Sequence, residues 1–157
     1  MNLFNNSQIE VHFGENLPIV EGLEHEFRLV YMDPPFNTGK KQARQAIKVS
    51  PSEDGDRKGY KGRSYKSEIV SKMSYDDKFE NLSETLYPVI ALLRDKLTDD
   101  GSVMVHLDYR EVHDVKVFVM DKIFGRSCFM NEIIWAYDYG ARSKKKWPAK
   151  HDTILWY

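Results

Sequence analysis

The amino-acid sequence predicts an α/β protein, an open sheet with flanking helices and right-handed crossovers. Three observations carry this. "FRLVYM" (Phe27 to Met32) is a nearly continuous β-favouring run, as in a strand covered on both faces of a parallel sheet. Two later stretches place apolar residues at helical spacing. The elements run strand, helix, strand, loop, helix, strand, helix, strand. With 157 residues and 41% apolar content, the chain is long enough for one globular domain with a real core.

"IEVHF" (Ile9 to Phe13) alternates apolar and polar residues and predicts a half-buried strand. "GENLPIVEGL" follows as a short helix with Asn16 as cap and Pro18 in its first turn. After the Phe27 to Met32 strand, residues 37–75 hold few large apolar side chains and much Lys, Arg, Gly and Ser, which predicts a long surface loop. A loop beyond about 15 residues in a compact domain is usually functional or disordered. From Leu82 the stripe Leu82, Leu86, Val89, Ile90, Leu93 and Leu97 predicts a helix, with Asn81 and Glu84 spaced as a capping box. Pro88 should kink it or mark its true start. "SVMVHL" (Ser102 to Leu107) predicts a buried strand. Asp108 and Glu111 repeat the capping spacing before the stripe Val112, Val115, Val119 and Ile123, which stops at Gly125. "CFMNEIIWAY" reads as a further strand, followed by the basic "GARSKKKWPAK" and the strand-like "HDTILWY".

No apolar run approaches the ~18 residues of a membrane span, and the N-terminus lacks the regions of a signal peptide, so a soluble cytoplasmic protein is expected. Cys128 is the single cysteine, read as a small buried apolar residue; no internal disulfide or cysteine-based zinc site is available. The net charge of −1 conceals a separation. Residues 37–72 carry ten Lys and Arg against four Asp and Glu, residues 140–151 carry five against none, and the remainder carries eight against twenty. Two cationic segments on an acidic body suit local contact with a polyanion, or are solvated loops.

In open α/β sheets ligands bind beyond the carboxyl ends of the strands, where "DPPF" stands in "LVYMDPPFNTG" (Leu29 to Gly39). Pro34 and Pro35 have no backbone N–H, and the Asp33 carboxylate only accepts, so this turn is built to receive hydrogen bonds. Phe36 adds a flat apolar face. A planar ring bearing an amino group uses all three features.

"DPPF" resembles the catalytic tetrapeptide (D/N/S)-P-P-(Y/F/W) of S-adenosylmethionine-dependent amino methyltransferases acting on adenine N6 or cytosine N4. Together with "GENLPIVEGL", "DPPFNTG", "LLRDKLTDDGSVMVHLD", "IFGRSCFMNEIIW" and "GARSKKKWPAKHDTILWY", it makes nearly the whole chain, apart from the loop after Lys40, similar to the site-specific adenine DNA methyltransferases of the β class. The resemblance implies a Rossmann-like methyltransferase sheet with flanking helices. It implies that Asp33 and Pro34 accept hydrogen bonds from the target amino group, that Pro35 completes the tetrapeptide, and that Phe36 stacks on the extruded base. It further implies S-adenosyl-L-methionine as cofactor, with Asp33 near its methionine end and a weaker role for Glu15, where the family usually has Asp after Gly. Arg142, Lys144, Lys145, Lys146 and Lys150 fall where such enzymes begin their DNA-contacting region and suit phosphate contacts on double-stranded DNA.

The implied organisation is 1–137 as the catalytic part, with 37–75 as the basic loop, 138–151 as the start of the DNA-contacting region and 152–157 as a truncated strand. The family places a cofactor-binding Phe-x-Gly-x-Gly after the DNA-recognition region, and no G-x-G occurs among the nine glycines here. The expectation is therefore an incomplete sheet, the N-terminal part of a longer enzyme lacking its C-terminal cofactor-binding half. A homodimer or a partner restriction endonuclease is a further expectation, from an exposed sheet edge and a restriction-modification setting. The leading Asp favours adenine over cytosine by family analogy. A nonenzymatic DNA-binding or pairing module is the alternative, with a protein methyltransferase behind it. His106, Asp108 and His113 have a rival reading as metal ligands, but His106 ends a buried strand, Asp108 has a capping role and His113 lacks a second clustered ligand, so no metal is expected; Trp135, Trp147 and Trp156 read as core or interface residues, Trp147 standing apart among lysines.

Overall fold

Val103, Val105 and Leu107 alternate with Met104 and His106, so one face of this strand is wholly apolar; all three are completely buried. In the computed structural model, which describes residues 9–139 and 143–157, this strand anchors one of two compact units. The first unit comprises the chain up to Phe36 and from Asn81 onward; the second is Asn37–Glu80.

The first unit holds helix α1 (Asn16–Gly22) and strand β1 (Phe27–Met32), then α2 (Leu82–Asp95) and β5 (Leu97–Leu107). A helical run follows: α3 (Val112–Val115) passes through a π-helical turn (Lys116–Met120) into α4 (Asp121–Ile123). Strands β6 (Asn131–Ala136) and β7 (His151–Trp156) complete a sheet of order β1-β5-β7-β6. β1 pairs with β5 in parallel, as expected, while β7 runs antiparallel to both β5 and β6. The sheet is therefore mixed. The apolar face of β5 and Leu82, Leu86, Val89, Ile90 and Leu93 of α2 form the core with Val112, Val115, Val119, Met120 and Ile123.

Both predicted apolar stripes are buried, except that α2 stops at Asp95 and Leu97 opens β5. The Asn81 Oδ1 accepts the Glu84 N–H at 3.3 Å, so the predicted cap forms, and the helix continues through Pro88. Asp108 does not cap its helix with its carboxylate, which accepts the Arg110 N–H at 2.9 Å and pairs with the Arg110 guanidinium. Glu15, not Asn16, is the cap residue of α1. Gly101 sits where the β1–β5 register shifts; a Cβ there would lie 2.9 Å from the Thr98 carbonyl and 3.0 Å from that of Phe27.

Four expectations change. Ile9, Val11 and Phe13 form no strand; their side chains are exposed and pair with no strand among the described residues. β1 is the outer strand of the described sheet, with Leu29 and Tyr31 about half exposed rather than covered. Cys128 is exposed, in the 3₁₀ turn Arg126–Cys128 that follows the Gly125 break. Trp135 and Trp147 are also exposed, Trp147 at 96%, whereas Trp156 is half-buried and donates to Ser102 Oγ at 3.1 Å.

The second unit corrects the predicted loop. It is a hairpin of β2 (Lys40–Pro51) and β4 (Ser64–Asp77), paired antiparallel along their length with a bulge at Ala46/Ile47, and β3 (Arg57–Lys58) adds two rungs near the tip. Almost every side chain on it is exposed, so no alternation of apolar and polar residues announces the strands. Its neck is closed by Asp77, which is buried: its carboxylate accepts the Asn37 N–H at 2.7 Å, the Thr38 hydroxyl and the Gln42 amide. Asn37 stands in the left-handed region, φ 54°, which asparagine tolerates, and its Oδ1 accepts the Phe79 N–H at 2.8 Å.

Burial pushes the Asp77 carboxyl up, but the hydrogen bonds from Thr38, Gln42 and Asn37 outweigh it and hold it below the usual aspartate range. A depressed folded value means the stabilisation is present above the ordinary aspartate value of about 3.9 and is lost as pH falls through the folded one. Hydrogen exchange of the Asn37 and Gly39 amides should accelerate as pH drops below about 4 relative to the intrinsic rate, and Asp77→Asn should flatten that dependence. In the first unit, Ile90→Ala should lower stability to urea by about 2–5 kcal/mol, since Ile90 is completely buried.

Candidate active site

β1, β5 and β6 point the same way and β7 begins where they end, so Asp33, His106, Trp135 and Asp152 meet at one edge of the sheet. The register makes this specific: Met32 pairs with Val105, and Trp135 pairs with Asp152. Side chains alternate along β5, so burial of Val105 and Leu107 on one face turns His106 toward the other.

His106 is the centre of this edge. Its Nδ1 lies 3.1 Å from the Tyr31 hydroxyl and 3.8 Å from Asp33 Oδ1, and its Nε2 lies 3.6 Å from Asp152 Oδ2. The Phe36 ring stands 5.5 Å from the imidazole, tilted by 57°, and the Trp135 indole lies near-parallel at 6.1 Å. Tyr137 donates to Asp152 Oδ1 at 3.2 Å. The Asp33 side chain is 63% exposed while His106 is 16% exposed, so the acid faces outward from a largely buried support.

Two phenols register the local carboxylates. Burial first, and then the Asp33 charge, push the Tyr31 hydroxyl above the usual tyrosine range. Burial, and then the Asp152 charge and hydrogen bond, do the same for Tyr137, partly offset by Arg110.

Asp33, Pro34, Pro35 and Phe36 leave the strand together, Asp33 exposed and the other three half-buried. Glu15 is exposed and is not among the residues gathered around His106. Lys144, Lys145 and Lys146 project from a turn in which Ser143 Oγ accepts the N–H groups of Lys145 and Lys146, both at 3.2 Å. Lys150 differs, since its ammonium donates to the carbonyls of Asp138 and Tyr139. Arg142 lies outside the described residues. Among the described residues no group of three His, Cys, Asp or Glu side chains converges as metal ligands. No described helix is long and apolar enough to cross a membrane.

Sequence reasoning weighed His106 only as a metal ligand and missed Tyr31 and Asp152. The signal was present in "SVMVHL", whose alternation already separates His106 from the buried valines.

Comparison with known proteins gives a consistent family. A model described as DNA methylase (N6_N4_Mtase) matches residues 27–157. The EcoP15I Mod subunit, a Type III restriction-modification enzyme of Escherichia coli, is 24% identical over 136 residues, covering 83% of this chain and 21% of its own. Type II methyltransferase M.EcaI of Enterobacter cloacae is 29% identical over 120 residues, 75% of this chain and 21% of its own. Type II methyltransferase M.KpnI of Klebsiella pneumoniae is 26% identical over 152 residues, 94% of this chain and 31% of its own. The chain thus spans a fifth to a third of the length of these curated relatives.

If Asp33 contributes to the raised Tyr31 value, Asp33→Asn should bring the Tyr31 titration part of the way back toward the ordinary range, burial holding the rest. Carbon-13 NMR of labelled tyrosine rings would follow it.

Proposed function

Since the chain belongs to the N6/N4 DNA methylase family, whose model covers residues 27–157, we propose that it carries the catalytic face of a DNA methyltransferase acting on the N6 amino group of adenine. The observation that carries this reading is the "DPPF" turn at the carboxyl end of β1, with an exposed acid, carbonyls freed of matching donors and a half-buried aromatic side by side.

An exocyclic amine delocalised into its ring is a poor nucleophile. Asp33 and the Pro34 carbonyl accept hydrogen bonds from its N–H groups and stabilise the positive charge that grows on nitrogen as it attacks. The two prolines stiffen the turn, so this acceptor geometry is set in advance. Phe36 receives the base once it leaves the duplex; extrusion costs a few kcal/mol and one aromatic stack returns about 1–3 kcal/mol. S-adenosyl-L-methionine, when bound, supplies a methyl group on a positively charged sulfur. The exposed carboxylate of Asp33 suits the cationic methionine end of that cofactor. No G-x-G is present in the chain, so in this reading the rest of the cofactor cradle comes from sequence outside these 157 residues.

Lys144, Lys145 and Lys146, with Arg142, would neutralise phosphates, which orients the duplex without reading its bases. Lys150, tied to the Asp138 and Tyr139 carbonyls, would hold the shape of the segment as much as touch DNA. A restriction-modification setting, with an endonuclease as partner, follows by analogy with the Mod subunits among the relatives. The leading Asp of the tetrapeptide favours adenine, and N4 of cytosine is the alternative target because the family spans both.

The test is transfer of a labelled methyl group from S-adenosyl-L-methionine into duplex DNA by the intact protein, followed by mass spectrometry of the nucleosides. N6-methyladenine is expected, and N4-methylcytosine in its place would overturn the choice of base. Asp33→Ala should lower kcat by about 10²–10³, and Phe36→Ala should lower kcat/KM by about 5- to 150-fold, matching the loss of one stack. An Asp33→Ala protein that transfers at the normal rate would sink the assignment.

A further inference from the structure

His106 presents an unexplained cost. Its Nε2 is buried and makes no hydrogen bond within normal length, with Asp152 Oδ2 just beyond at 3.6 Å. Burying a polar nitrogen without full compensation is unfavourable. The aromatic neighbours Phe36 and Trp135 would pack as well around an apolar side chain. What an apolar side chain would not supply is the pair of polar contacts. On the Nδ1 side stand the Tyr31 hydroxyl at 3.1 Å and Asp33 Oδ1 at 3.8 Å; on the Nε2 side stands Asp152, itself held by Tyr137.

Resting on the methyltransferase reading, we infer that His106 is a positioning residue that orients the Asp33 carboxylate toward the target amino group. Both flanking carboxylates can only accept, and they lie on opposite sides of the ring, Asp33 beside Nδ1 with the Tyr31 hydroxyl and Asp152 beside Nε2. The order of support runs from Tyr137 to Asp152, to His106, and on to Asp33. Asp33 begins an irregular turn and its side chain is mostly exposed, so this contact from a buried ring on the central strand β5 narrows its orientations. A misplaced catalytic group of about 1 Å can cost about 100-fold in rate, which is the scale on which such support acts.

Three substitutions separate the roles of the two nitrogens. The side-chain amide of His106→Asn occupies the place of Nδ1, that of His106→Gln the place of Nε2, and His106→Leu offers neither. In methyl transfer to duplex DNA by the intact protein, His106→Leu and His106→Gln should lose about 10- to 100-fold in kcat with KM for DNA changed less than threefold. His106→Asn should recover most of that loss. In an Asp33→Ala background, His106→Leu should cost less than threefold more, because a residue acting through Asp33 has nothing left to orient. Nitrogen-15 NMR of the histidine rings gives a readout free of activity: Asp33→Asn and Tyr31→Phe should each shift His106 Nδ1, and Asp152→Asn should shift Nε2.

Equal losses for the Asn and Leu variants, full additivity with Asp33→Ala, or ring signals that ignore all three partners would each overturn the inference. A wild-type protein with clear ring couplings and no methyl transfer would instead overturn the methyltransferase reading and this role with it. An active wild type beside a fully active His106→Leu protein would remove the inference alone.

Discussion

The parallel pairing of β1 with β5 is the constraint from which the candidate site follows. Leu29 through Met32 run beside Ser102 through Val105 in fixed register, which delivers Asp33 next to His106 as the chain leaves the sheet. A slip of one residue would turn every side chain of β1 to the other face. Burial of Val103, Val105 and Leu107 on the core side fixes the facing of β5, and Gly101, where two carbonyls approach too closely for a side chain, marks the place where the register with β1 shifts. A packing interaction on one face of β5 thus sets the polar geometry on the other.

Most of the first unit was legible because it obeys one period at a time. The stripes from Leu82 to Leu93 and from Val112 to Ile123 face one core, and the Asn81 cap is a local bond between near neighbours. Legibility failed where the period carries no burial. The hairpin from Lys40 to Asp77 is exposed on both faces, so Ile47, Val49, Ile69 and Val70 supply β-propensity without the alternation that marks a strand. The converse error occurred at Ile9 to Phe13, where alternation is present and no partner strand pairs with it among the described residues.

At the site, the chemistry of the turn was readable and its support was not. The acceptor character of Asp33, Pro34 and Pro35 follows from covalent structure alone. That Asp152, more than a hundred residues later, would stand behind His106 depends on β7 entering antiparallel beside β5, a pairing with no local signature. Trp135 came to the same edge by its rung with Asp152, although the sequence reads it as a core or interface residue.

Bonds among the hairpin's own residues close its neck: Asp77 with Asn37, Thr38 and Gln42, and Asn37 with Phe79. Rungs removed or added in pairs at the distal end would leave this clasp untouched. Such a ribbon can therefore lengthen or shorten by paired rungs without loosening its neck.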